Sequence, residues 1–437
     1  VTQVTCTDLE LTAMTVPGTH DGPLTDEPYA LDQPNDPHAL DSLRAWQRAL
    51  RDQFPIITGN PDLAYLDNAA TAQKPRAVLD AVHTYLTTTN ANAGRGTYPW
   101  ANRTTQAVEG ARDRVRRFLN DPDPGTSAVH FTSGTTEGLR AIALDWLPRF
   151  LRDGDEIIVP FADHEANISP WREAERLLAD RGVHIRVLPM PYQASSGDYD
   201  HIALADLAGP RTRFVAVTHV HHVYGGDMNV HRVRRAVGPD AVICLDAAQS
   251  IGHLPVSLAG GGELPRADVD FVVFSGHKAM ALPGTGAVWA RQARGPAFVP
   301  GGWSGTPNTV GIVSLAAALD WLDAAGVERI ERWTVALAAR FTDALRHLAA
   351  YEILGCRTSL AADSPVQRRK GVVTFRHHGI PSGDLGFILF SHGFMVRSDN
   401  HCQGSAGESA GSVRVSLHVH NTVEEVDRLL SVLASLG

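Results

Sequence analysis

The sequence predicts an α/β fold: a mostly parallel central sheet with helices on both faces, plus a smaller α+β domain. Three observations carry this. From about Tyr65 to Asn308, short apolar runs rich in β-branched residues alternate with amphipathic stretches. Several runs, such as Ala241-Val-Ile-Cys-Leu-Asp246, are apolar at successive positions, so both faces of the strand must be covered. After Asn308 the texture changes to long amphipathic helices with few strands.

The elements follow in order. Residues 1–38 form a polar arm rich in Pro, Asp and Thr. Residues 39–64 are an N-terminal segment that contributes to the smaller domain. Its helix starts near Pro37–Asp41 and runs through Leu43, Trp46 and Leu50. The large domain spans 65–308. Its helices are Lys74–Thr88, Arg103–Leu119, one through Ala141, Leu144 and Leu147, Trp171–Arg181 and His231–Val237. Its strands are Ala128–Thr132, Glu156–Pro160, His184–Leu188, Arg213–Thr218, Ala241–Asp246 and Phe271–Phe274, with Gly286–Ala290 as a closing strand. The smaller domain, 309–437, holds helices Leu315–Ala325, Ile330–Leu348 and Glu424–Leu436 and strands Gly371–Phe375 and Ser412–Leu417.

Bulk properties exclude several classes. A formal net charge of −9 argues against nucleic-acid binding, which needs a basic face. Four widely spaced cysteines form no zinc motif and are too few for a disulfide scaffold, so a reducing cytosol is expected. No run of twenty apolar residues predicts a membrane span, and no signal peptide is expected.

Chemistry gathers at the strand ends, where ligands of such sheets sit. Phe271-Val-Val-Phe-Ser-Gly-His-Lys278 delivers a lysine whose amine, if desolvated, attacks a carbonyl. Leu245-Asp-Ala-Ala-Gln249 ends a strand in a carboxylate that wants a cationic partner. Ser133-Gly-Thr-Thr136, between strand and helix, makes an anion cup. An amine, an acid and an anion cup together are what pyridoxal phosphate requires. Each also has a plainer explanation: a surface lysine, a helix-capping aspartate, a capping threonine. His164 is either a ring for stacking or a polar loop residue. His219 and His221 alternate on one strand face but have no partners at zinc spacing, so no metal is expected. Cys402, beside Arg397 and His401, is either a nucleophile or an inert loop thiol. Arg414 suits a substrate carboxylate or a surface salt bridge.

Assembled, these residues resemble the class V aminotransferase family of fold-type I pyridoxal phosphate enzymes, in its cysteine desulfurase and selenocysteine lyase branch. The resemblance runs from about Tyr65 onward. It is carried by Tyr65-Leu-Asp-Asn-Ala-Ala-Thr71, Phe131-Thr-Ser-Gly-Thr-Thr-Glu137, His164-Glu-Ala-Asn167, Val215-Ala-Val-Thr-His219, Asp246-Ala-Ala-Gln249, Ser275-Gly-His-Lys278 and Gly305-Thr-Pro-Asn308. It implies that Lys278 holds the cofactor as a Schiff base and moves the Cα proton, with Asp246 on the pyridine nitrogen. It further implies that Gln249 contacts the ring hydroxyl, His164 stacks on the ring, and Thr135, Thr136, Ser275 and His277 hold the phosphate. Thr306 is implied to reach the phosphate of a partner subunit, giving a homodimer with active sites at the interface. Arg414 and Arg397 are implied to bind the amino-acid carboxylate, with Asn68 also at the substrate, and Cys402 to take up sulfur.

The chain departs from the family pattern at several points. Gly94 replaces a histidine near the substrate, His222 an asparagine at the cofactor, and Glu165 a second histidine. The segment before Gly305 is shortened to Pro300-Gly-Gly-Trp-Ser304. These changes favour a cysteine S-conjugate over free L-cysteine as the substrate of a lyase that cleaves the Cβ–S bond. The alternative is a transaminase, epimerase or decarboxylation-coupled oxidative deaminase of a specialised amino acid in natural-product biosynthesis, such as a cysteine-linked lincosamide intermediate. A non-enzymatic scaffold is disfavoured by the presence of Lys278, Asp246 and the phosphate residues.

Overall fold

The computed structural model of the chain describes residues 37–193, 197–261, 266–292, 295–299, 306–355, 369–399, 401 and 411–437. The chain divides into Val1–Gln33, outside the described residues, and Pro34–Gly437, which holds all the described elements. Its first elements are α1 (Pro37–Arg51), α2 (Pro55–Thr58), β1 (Ala64–Tyr65), α3 (Arg76–Thr88) and α4 (Pro99–Phe118). Next come β2 (Ser127–Thr132), α5 (Thr135–Ala141), a π turn (Ile142–Trp146), α6 (Leu147–Phe150), β3 (Glu156–Val159), α7 (Ser169–Ala179) and β4 (Arg186–Pro189). They are followed by α8 (His201–Leu207), β5 (Thr212–Thr218), α9 (Val230–Val237), β6 (Val242–Asp246), β7 (Phe271–Ser275) and β8 (Gly286–Arg291). The remainder is α10 (Thr309–Ala325), α11 (Val327–Leu345), β9 (Tyr351–Ile353), β10 (Val372–His377), α12 (Ser382–Ser391), β11 (Phe394–Met395), β12 (Arg397–Asp399), β13 (Ser412–Ser416) and α13 (Val423–Ser435).

The seven-stranded sheet has the order β2-β8-β7-β6-β5-β3-β4. Strands β7, β6, β5, β3 and β4 run parallel, while β8 is antiparallel to both of its neighbours. The expected closing strand Gly286–Ala290 is therefore internal, inserted between β2 and β7. Alternate strand residues feed two different cores. Val215, Val217, Ile243, Leu245, Val272 and Phe274 join one apolar cluster. Phe214, Ala216, Cys244, Phe271 and Val273 join another, with Trp146 and Trp171. This is why the strands read as unbroken apolar runs. Each large aliphatic so buried contributes about 2 kcal/mol.

A second, four-stranded sheet has the order β12-β13-β10-β9 and packs with residues of α11 and α13. β1 adds in parallel to β11. Helix α10, expected with the C-terminal α+β part, instead packs on α3 and α4, and its Leu315, Leu319 and Leu322 join the core of the seven-stranded sheet. Among the described residues no single helix is long and apolar enough to cross a membrane.

Some helix ends differ from expectation for local reasons. Helix α3 starts at Arg76, not Lys74, because a residue before proline is pushed out of helical backbone, and Pro75 is extended at ψ 156°. Helix α4 starts four residues earlier than expected, with Pro99 in its first turn, where a missing N–H costs nothing.

Candidate active site

Strands β5, β6 and β7 lie side by side in register, with Thr218 opposite Asp246 and Asp246 opposite Val273. Their carboxyl ends, Thr218, Asp246 and Ser275, open onto one cavity of ≈ 250 Å³. It is lined by eleven of the side chains picked out from the sequence: Thr135, Thr136, His164, His222, Asp246, Gln249, Ser275, His277, Lys278, Arg397 and Arg414. Thr218, Val220, Ala69, Ala70, Ala166, Ala248 and His401 complete the lining.

The anion cup sits where β2 turns into α5. Gly134 has φ 157°, and its carbonyl accepts from the Thr132 hydroxyl at 2.9 Å. The Thr135 N–H donates to Ser275 Oγ at 2.8 Å, and the two hydroxyls, Thr135 Oγ1 and Ser275 Oγ, are also 2.8 Å apart. The Thr135 and Ser275 hydroxyls and the Thr135 N–H therefore meet at a helix start, where the helix dipole favours an anion. Gly138 lets this helix approach the sheet: a Cβ there would stand 2.6 Å from Val273 Cγ1 and 2.7 Å from Val288 Cγ2.

Asp246 is the buried acid. Its Oδ1 accepts the Ala248 N–H at 2.9 Å. Burial pushes its carboxyl up to about 6, against the opposing pull of that N–H and of Lys278. An ionised carboxylate in this position gains from a cation brought to it. Lys278 follows β7 in a single 3₁₀ turn, Gly276–Lys278. Burial and the Lys278 charge hold His277 and His164 down at about 4, so both rings are neutral near pH 7. Gln249 is held by its Nε2 donating to the Ala69 carbonyl at 2.9 Å.

One wall is made of rings. His164 meets His222 edge-on, with centroids 5.1 Å apart at 75°. His222 is buried, and neither of its ring nitrogens has a hydrogen-bond partner. Buried polar atoms are rarely left so.

The cavity lining also carries two guanidinium groups on neighbouring strands, with Arg397 and Arg414 paired in register. Arg414 donates to the His222 carbonyl at 3.2 Å and to Asp67 Oδ1 at 3.1 Å. Arg397 forks onto Asp399, with Nη2 2.8 Å from Oδ2. His401 Nε2 lies 2.8 Å from Ser412 Oγ. Burial, with help from Arg414, holds the His401 ring down at about 4.

Three expected residues stand outside this lining. Asn68 is fully buried, and its amide is taken up by the Ser416 carbonyl at 2.8 Å, Asn421 Oδ1 at 3.2 Å and His420 Nε2 at 2.9 Å. It ties the start of the chain to β13 rather than facing a substrate. Gly94 is exposed at φ 73°, with open space where a side chain would be. Thr306 is exposed. Cys402 and Pro300–Ser304 lie outside the described residues. Sequence reasoning missed Asp67, the partner of Arg414, although it lies inside a quoted motif next to Asn68.

An amine, a buried acid in want of a cation and a hydroxyl-rich anion cup on one cavity fit pyridoxal phosphate. Lys278, Asp246 and the Thr135–Ser275 group are the residues that would hold it.

Comparison with known proteins agrees with this arrangement. The family model described as Aminotransferase class-V matches residues 64–429. A probable cysteine desulfurase of Vibrio cholerae is 32% identical over 416 residues, covering 88% of this chain and 97% of the relative. A cysteine desulfurase of Cronobacter sakazakii is 33% identical over 419 residues, covering 88% and 96%. Among solved structures, an apo cysteine desulfurase from Thermococcus onnurineus superposes with a TM-score of 0.76 at 27% identity, covering 89% of this chain and 97% of that one. The Escherichia coli cysteine desulfurase CsdA, in an S-sulfonic acid form, gives 0.72 at 27% identity, covering 89% and 98%.

Proposed function

We propose, from the premise that the chain belongs to the aminotransferase class-V family, that it is a cysteine desulfurase-like enzyme which cleaves the Cβ–S bond of a cysteine derivative with pyridoxal phosphate. The observation that carries this is the convergence of Lys278, Asp246, the Thr135–Ser275 cup and Arg414 on one cavity. When bound, pyridoxal phosphate supplies an electron sink that makes the Cα proton of an amino acid removable.

The chain's own groups do the rest. Arg414 presents a planar fork suited to the substrate carboxylate, and Asp67 orients it. Lys278 takes and returns the proton at Cα through its Nζ. Asp246 supplies a carboxylate in a dry site, where its charge acts strongly. His164, neutral at physiological pH, offers a flat face without adding charge. Thr135, Thr136, Ser275 and His277 hold the phosphate, and Gln249 borders the ring. The reading extends to a homodimer in which Thr306 reaches the partner's phosphate.

Between free L-cysteine and a cysteine S-conjugate, the conjugate is favoured. This preference rests on the sequence departures alone: Gly94, which lies outside the cavity lining, stands where the family carries a histidine, and His222 stands where it carries an amide.

The deciding experiment compares L-cysteine with bulky S-conjugates on the PLP-loaded protein and identifies the products. Pyruvate and a free thiol from the conjugate, with activity retained in Cys402→Ala, support conjugate cleavage by elimination. Alanine and Cys402-dependent sulfide from L-cysteine support desulfuration instead. Amino exchange with α-ketoglutarate, racemised substrate or oxygen consumption, without C–S cleavage, sinks both and favours the transaminase, epimerase or oxidative alternative.

A further inference from the structure

Each of the two arginines in the cavity lining carries a carboxylate from its own chain. β12 is an edge strand, and the two-residue period of a strand puts Arg397 and Asp399 on one face. Arg397 Nε donates to both Asp399 oxygens at 2.9 Å, and its Nη2 lies 2.8 Å from Oδ2. The Nε–Nη2 edge, which could grip a guest carboxylate with two bonds, is therefore taken. Asp399 is fixed from a second direction, because its Oδ1 accepts the His401 N–H at 2.6 Å. Burial raises the Asp399 carboxyl, but the Arg397 fork and the His401 N–H outweigh it and hold the group below its ordinary value, ionised.

Arg397 and Arg414 stand opposite each other on the β12–β13 ladder, where like charges repel. Two anions flank the two cations: Asp67 at Arg414 and Asp399 at Arg397. The pairs are not alike. Asp67 meets Arg414 through a single oxygen, at 3.1 Å, whereas Asp399 holds Arg397 through both. Arg414 is also tied down: its Nη1 donates to the His222 carbonyl, and the next three carbonyls, of Val223, Tyr224 and Gly225, accept from Thr374 Oγ1, Arg369 Nη1 and the Lys370 N–H. Arg397 lines the cavity, while Asp399 is half exposed and stands outside the lining. The α-carboxylate of an amino acid thus has Arg414 to meet. A second carboxylate arriving at Arg397 meets a guanidinium already forked, with a fixed negative charge beside it.

We propose that Asp399 is a specificity-determining residue: it occupies the carboxylate-binding edge of Arg397 from within the chain, so that the cavity takes cysteine S-conjugates whose S-substituent carries no negative charge. This deepens the function proposed above and rests on it.

The test compares S-carboxymethyl-L-cysteine with S-carbamoylmethyl-L-cysteine, two conjugates of nearly equal shape that differ by one negative charge. Their dissociation constants are read on the PLP-loaded protein from the change each causes in the visible band. The wild type should bind the carbamoylmethyl conjugate about tenfold more tightly. Asp399→Asn, which keeps an acceptor for the His401 N–H, should turn the preference toward the carboxymethyl conjugate. Adding Arg397→Gln to that variant should abolish the gain. If Asp399→Asn does not fold, the wild-type ratio decides alone. Equal binding of the two conjugates by the wild type overturns the inference, because Asp399 then yields to a guest. So does a ratio that Asp399→Asn leaves in place: a purely structural role lowers thermal stability and weakens both conjugates alike. A gain that survives Arg397→Gln overturns it as well, since another cation then takes the second carboxylate. A wild type that forms no PLP band overturns the proposed function first. One that forms the band but binds neither conjugate overturns the conjugate reading, and this inference falls with it.

Discussion

Arg414 and Asp67 form an ion pair, buried at the arginine and partly exposed at the aspartate, in which burial outweighs attraction for both partners. Nη2 and Oδ1 are 3.1 Å apart, and only 1% of the Arg414 side chain is exposed. Even so, burial raises the Asp67 carboxyl and lowers the Arg414 guanidinium from their ordinary values. The pair therefore adds little net stability, but breaking it strands a buried cation. Asp67→Ala is expected to cost about 3 kcal/mol in chemical unfolding. Added carboxylate ligand should raise the melting temperature of the variant more than that of the wild type, because the anion takes the vacated place. Equal ligand shifts in the two proteins would mean that Arg414 does not meet the carboxylate.

Asp246 should make the PLP-free protein sensitive to alkali. Its folded value, about 6, lies above the ordinary 3.8. Between these values the folded state keeps a proton that the unfolded state has released. The favourable contribution is complete below about 3.8 and is lost as pH rises through about 6. A shift of about two units is worth roughly 3 kcal/mol. Asp246→Asn, unable to ionise, should exceed the wild type by about that much near pH 8, and the gap should close toward pH 4. Denaturant melts of both PLP-free proteins across this range check it.

The opposite sign holds for the buried histidines. Burial lowers His253 from 6.5 to about 4 and His420 from 6.5 to about 3. The unfolded chain takes up these protons first. The stability they confer is present above about 6.5 and is lost as pH falls through their folded values. His253→Gln should flatten the acid limb of the melting-temperature profile. An unchanged slope would mean that His253 is solvated in the folded protein.

Gly138→Ala tests the closeness of helix and sheet at the anion cup. The new methyl would sit well inside contact distance of Val273 and Val288. Overpacking of this kind costs about 1–3 kcal/mol. Because the displaced helix carries Thr135 and Thr136, inorganic phosphate and PLP should both bind more weakly. Wild-type affinity together with lowered stability would separate the cup from the packing.

The strand-end residues were legible because each ends an apolar run, and such ends face ligands in parallel sheets. Asp246, Ser275 and Lys278 were found in this way, and the alternation of elements disclosed the sheet that carries them. What stayed hidden depends on distance along the chain. Asp67 and Arg414 are 347 residues apart, and no local pattern pairs them. Asn68 looked substrate-facing because it shares a motif with site residues, yet β13 and the His420 turn use up its amide. Helices α8 and α12 were missed because neither shows a strong apolar stripe: α8 buries only Leu204 and rests on the Asp200 cap, and α12 buries only Leu385 and Leu389.

The run of four carbonyls from His222 to Gly225 laces the ring wall to the four-stranded sheet. At about 1 kcal/mol for each hydrogen bond, drawing the two sheets apart along this seam breaks the lacing in a single step of several kcal/mol. Arg414 and the His222 backbone thus belong to one laced segment of the cavity lining. Any change in the seating of Arg414 therefore bears directly on the backbone that carries the His222 ring.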